Sequence, residues 1–92
     1  MAHCPYDKLG DLEDQLAKIR AWPAIKEKSP GVFYIKSLPF LHFHLKEDKR
    51  WADARDGRTW GEQIAVPFGA KITTKRAFLK VVERRYRSLA DD

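Results

Sequence analysis

Apolar positions recur along this chain with two different periods, and the switches between them mark out the elements. Leu9, Leu12, Leu16 and Ile19 fall on one helix face, with Asp11, Asp14 and Lys18 opposite. Acidic residues crowd the first turns, where they suit the helix dipole. Pro23 stops this helix by pushing Trp22 out of the α region. Pro23-Ala24-Ile25-Lys26 reads as one further helical turn, and Ser29-Pro30-Gly31 as a turn. The period then shortens to two. Val32 to Lys36 and Phe40 to Lys46 read as strands separated by Ser37-Leu38-Pro39. Trp51 to Arg55 reads as a third strand, and Arg58 to Val66, bent at Gly61, as a fourth. Asp56-Gly57 between them carries the signal of a type I′ hairpin. Helical spacing returns in Phe78, Leu79, Val82, Tyr86 and Leu89. It predicts a helix from Thr73 or Thr74, either of which can cap it, to Leu89.

The predicted fold class is α+β, in the order α-β-β-β-β-α. A four-stranded mostly antiparallel sheet carries the N-terminal and C-terminal helices on one face. Its 92 residues make a single domain, residues 1–92, with 1–8 expected to be a mobile N-terminus. A TIM barrel or a full dinucleotide-binding domain does not fit in this length. No apolar run approaches the roughly 18 residues of a membrane span, so no membrane partner is expected. Cys4 is the only cysteine and cannot form an intramolecular disulfide. With no apolar signal-peptide core after Met1, the expectation is a cytoplasmic protein.

Strand alternation divides the side chains into two sets. Leu41, Phe43, Leu45, Phe33 and Ile35 form the expected core beneath the helices, where Ala52 and Ala54 let a helix approach. The other face is expected to carry Tyr34, Phe40, His42, His44, Trp51, Asp53, Arg55, Trp60 and Glu62. With Asp56 and Gly57 as the loop, Trp60 would stand across from Asp53 and Glu62 across from Trp51. An aromatic area of this size in water implies a use. Three readings remain open: cover by loops or by a second copy in a homodimer, a platform on which flat ligands stack, or a metal or acid–base site.

Charge adds a second candidate surface. The net charge is +5, and its placement is uneven. Residues 71–90 hold Lys71, Lys75, Arg76, Lys80, Arg84, Arg85 and Arg87 against Glu83 alone, a net +6. Arg76, Lys80, Arg84 and Arg87 make a stripe suited to phosphates or an acidic partner, without the Asn or Gln residues of base-specific readout. Arg85 lies beside the apolar stripe and is expected to pair with an acid.

His42 and His44 are spaced to share a metal ion, but a site needs further ligands. By residue type the candidates are His3, Cys4, Asp53 and Glu62. There is no nucleophile elbow, P-loop, dinucleotide fingerprint or zinc-finger spacing. No cofactor is implied and no metal is assigned. The functional expectation is therefore a binding or interaction module for an anionic or nucleic-acid ligand. The alternatives are a metal-assisted enzyme using His42 and His44, or a ligand-free homodimer.

Trp22-Pro23, Phe40-Leu41-His42-Phe43-His44, Trp51-Ala52-Asp53 and Val82-Glu83-Arg84-Arg85-Tyr86 together resemble the small bacterial luciferase-domain proteins. The likeness covers about three-quarters of the chain in order of elements. It implies an α+β element order and carries over no catalytic residue. The light-producing monooxygenases use a far larger barrel.

Overall fold

The structure, a computed structural model, describes residues 3–90. It is an α+β fold with a mostly antiparallel sheet and two helices. Two 3₁₀ turns, Tyr6–Lys8 and Gly10–Leu12, lead into α1 (Glu13–Arg20). The sheet comprises β1 (Ile25–Ser29), β2 (Val32–Ile35), β3 (Leu38–Lys46), β4 (Lys49–Asp56), β5 (Thr59–Trp60) and β6 (Ile64–Ala65), and α2 (Ile72–Ala90) closes the order. Strands β1 to β5 lie in sequence order, and β6 also pairs with β4.

The sheet has one strand more than expected at its first edge, and its last strand is split. The helical turn expected at Pro23-Ala24-Ile25-Lys26 gives way to β1 from Ile25 onward; Ile25 is the one apolar residue of that strand, and with lysines alternating beside it the strand suits an exposed edge. The expected fourth strand exists as β5 and β6, separated at Gly61. A Cβ there would lie 2.5 Å from Arg85 Nη1 and 3.1 Å from the Ala54 carbonyl oxygen. Arg85 is buried and donates from Nη1 to Ala54 O at 3.0 Å and Glu62 O at 3.2 Å. Its partners are backbone carbonyls in place of the expected acid: the guanidinium bridges the Glu62 carbonyl and the Ala54 carbonyl, which also accepts the Gly61 N–H at 2.9 Å.

Turn chemistry also differs from the sequence reading. Asp56 pairs with Thr59, so Gly57 and Arg58 form the loop. Gly57 has φ +68° and Arg58 has no positive φ, the sign pattern of a type II′ turn. Both central φ values are positive at Lys36 (52°) and Ser37 (68°), between β2 and β3. That is the sign pattern of a type I′ turn, built without glycine or asparagine.

The core lies between the sheet and the helices. Leu9, Leu12, Leu16 and Ile19 from the N-terminal region meet Phe33, Phe43, Ala52 and Ala54 from the sheet and Phe78 and Val82 from α2. Phe43 and Phe78 rings are 5.8 Å apart. Trp22 stacks on Tyr86 at 4.8 Å, and the Tyr86 hydroxyl donates to Pro23 O, fastening α2 to the end of α1. α2 begins at Ile72, ahead of the threonines expected to cap it.

Of the segment expected to be mobile, Met1 and Ala2 lie outside the described residues, and His3 and Cys4 meet β3. His3 pairs with His44, and Cys4 N–H donates to Phe43 O at 3.0 Å, with its side chain buried. Arg50, buried in the core layer, holds the next stretch. It grips Asp11 in a bidentate pair at 2.7 and 2.9 Å and donates to Lys8 O, Val66 O and Pro67 O. Phe68 covers its guanidinium at 4.4 Å.

Candidate functional site

β3 and β4 send alternate side chains to the face the helices leave uncovered, and their register decides which residues meet there. His42 stands opposite Asp53, and His44 opposite Trp51. His44 also reaches diagonally, its Nε2 2.9 Å from Asp53 Oδ2. A carboxylate only accepts, so the hydrogen of this contact sits on Nε2. The two side chains are 22% and 19% exposed, enough for a ligand to reach them. His44 stacks on Trp51 at 5.2 Å and meets His42 edge-on at 4.5 Å. His42 in turn meets Trp60 edge-on at 4.8 Å. Burial holds the His42 pKa down; His44 and His3 add to that effect and Asp53 opposes it.

Trp60 stands across from Arg55, not Asp53, and Ala65 takes the place expected for Glu62 opposite Trp51. The shift at Trp60 is two residues, because the loop is Gly57-Arg58, and an even shift keeps the side chain on its face. Arg55 lies over the Trp60 ring at 4.6 Å and donates from Nε to Pro39 O at 2.8 Å.

Phe40 is the clear exception among the predicted site residues, for it is buried in the core. Phe33 pairs with Leu41 and Tyr34 with Pro39, so Phe40 is the extra residue of a bulge. The bulge turns two consecutive side chains, Phe40 and Leu41, toward the helices. Tyr34, His42, His44, Trp51, Asp53 and Trp60 do share the open face.

A cationic rim surrounds this centre, and the sequence reading missed most of it. Lys26 lies opposite Tyr34, and Lys28 Nζ sits 5.2 Å over the Tyr34 ring. Lys46 pairs with Lys49 at the other end of the face, and all four lysines are exposed. Reading Ile25–Ser29 as a strand would have put Lys26 beside the aromatic set. A groove of about 250 Å³ runs between Lys26, Lys28, Tyr34, Lys36 and Ser37. Another of about 370 Å³ adjoins Trp51, Lys49, Gln63 and Ala65. The Trp51 indole N–H has no hydrogen-bond partner among the described residues. A hollow of about 510 Å³ is lined instead by Asp7, Asp11, Glu47 and Asp48 with Lys8 and Phe68, where four acids against one lysine disfavour an anion.

Arg76, Lys80, Arg84 and Arg87 form an exposed ridge on α2, with Glu83 3.3 Å from Arg87. Phe78, Val82, Arg85 and Tyr86 are buried from the same helix. The ridge therefore points away from the sheet, on the opposite side of the molecule from the histidines. The two predicted surfaces do not merge into one.

The fold and site together define a small α+β domain with one face of its antiparallel sheet left open and lined by rings and cations. No protein-family model, no curated protein and no solved structure matches this chain.

Proposed function

We propose that the protein is a binding module whose open sheet face takes single-stranded nucleic acid. The observation that carries this reading is the combination, on one face, of Tyr34, Trp51, Trp60 and two imidazoles with Lys26, Lys28, Lys46 and Lys49 around them. Unpaired bases stack on aromatic rings, and a cationic rim follows the phosphates. A paired duplex hides its base faces, so it gains only the electrostatic part. A face-to-face homodimer is disfavoured by the same rim, because it would bring like charges together. The resemblance to the luciferase-domain proteins adds an element order to this reading and no chemistry.

Anisotropy of a labelled oligothymidine of about 10 nucleotides tests it. Binding is expected at low salt, weakening with a log–log slope of about −3 when four or five phosphates are neutralised. Trp60→Ala is expected to weaken binding about tenfold, since stacking is worth about 1–3 kcal/mol per base. Reversing Arg76, Lys80 and Arg84 on the far side is expected to leave it nearly unchanged. No binding at low salt, or binding lost only with the helix ridge, would overturn the proposal.

A further inference from the structure

The geometry points to a second ligand on the same face: we infer that His42, His44 and Asp53 bind one divalent transition-metal ion of the zinc class. Their ligand atoms all lie within 4.8 Å of one another. They come from β3 and β4, paired from Leu41↔Ala54 to Lys46↔Lys49, so the backbone that presents them is held on both strands. The rings are oriented as well, His44 by stacking on Trp51 and His42 by the Trp60 edge contact. Fixed ring planes are what a metal site otherwise obtains from outer-shell hydrogen bonds.

The donor set selects the metal class. Two imidazoles and one carboxylate suit zinc and its first-row neighbours, whereas calcium and magnesium require oxygen-dominated shells. Thiolate ligation is not available here, because the Cys4 side chain lies in the core and burial raises its pKa. Three protein ligands leave the fourth tetrahedral position to water. The ion would take the place of the hydrogen that His44 Nε2 directs at Asp53, leaving the other ring nitrogen of a neutral imidazole to carry it. His3, paired opposite His44, brings the chain's third histidine to the edge of the same cluster.

Cobalt(II) serves as the probe, with zinc as competitor, in the absence of nucleic acid. Saturable binding of one equivalent is expected, with visible absorption of a four-coordinate site that zinc abolishes. Asp53→Asn and His44→Ala are each expected to weaken cobalt binding about 100-fold or more, beyond what loss of an outer-shell partner does. Their circular dichroism should match the parent, and only the parent should gain thermal stability with zinc. Absence of saturable binding at millimolar cobalt, or binding retained in a folded His42→Ala/His44→Ala double variant, would overturn the inference. Oligonucleotide binding is measured separately in chelator, so the two readings fail independently.

Discussion

Arg50 and Asp11 face each other in a bidentate pair although 39 positions separate them in the chain. The arginine side chain is fully buried and the aspartate 29% exposed. The pair ties the N-terminal strap to β4, and the same guanidinium takes the carbonyls that lead out of β6. Arg50→Met removes every one of these donors and leaves buried acceptors unmatched. The expected loss is about 3 kcal/mol or more in urea unfolding, a large share of a small domain's stability.

Acid should loosen the same fastening. Hydrogen bonding from Arg50 holds the Asp11 carboxyl below the usual carboxylate range, and the Glu27 carboxyl, gripped by Arg20 at 2.7 Å, is also lowered, Arg20 and the Gly31 N–H outweighing its burial. Folded pKa values below the unfolded ones contribute stability above the unfolded value, about pH 4, and lose it as pH falls toward the folded values. Melting temperature is therefore expected to hold near neutrality and drop below about pH 4. Asp11→Asn combined with Glu27→Gln should flatten that acid limb.

Gly61 and Arg85 make a matched pair of requirements. A methyl group at 61 would collide with the guanidinium and crowd Ala54 O. Gly61→Ala is expected to cost about 1–3 kcal/mol, as overpacking does. Arg85→Met should relieve part of that cost in the double variant, an interaction that a double-mutant cycle reads directly.

The turn at Lys36-Ser37 holds two L-residues at positive φ. Ser37→Gly is expected to stabilise the fold by about 0.5–1 kcal/mol, since the left-handed region costs a non-glycine residue more than glycine's extra unfolded freedom returns. Thermal unfolding checks it; a loss of stability would show that the serine side chain contributes something the glycine lacks.

Phe40→Ala separates core from surface. Buried at the bulge, Phe40 should cost about 3–5 kcal/mol when truncated, while oligonucleotide affinity of the folded fraction stays close to the parent's. A ligand-facing phenylalanine would do the reverse.

These residues also show where the sequence was readable. Alternation in His42-Phe43-His44 and Trp51-Ala52-Asp53 was enough to divide core from face, because those strands are regular and amphipathic. The helical spacing of Phe78 to Leu89 located α2, whereas of the row Leu9 to Ile19 only Leu16 and Ile19 lie in α1, Leu9 and Leu12 being buried from the 3₁₀ turns ahead of it. β1 was hidden because a charged edge strand has little apolar signal, and Phe40 was misplaced because a bulge interrupts alternation without leaving a mark in composition. Arg50 was missed altogether: nothing local distinguishes a buried arginine from a solvated one, since its partners come from distant segments. The histidine cluster lay between these cases. His42, His44 and Asp53 were each singled out, but only the strand register brings their ligand atoms together.

The bulge at Phe40 has one more effect, on how β3 tolerates change in length. Pro39 and His42 both point outward, with two inward residues between them where regular pleating allows one. A chain shortened by that phenylalanine would restore ordinary pleating there and still aim both imidazoles at solvent, leaving a ring-sized void under the sheet. Removing Phe43, where no such slack exists, would put His42 and His44 on opposite faces and dismantle the cluster.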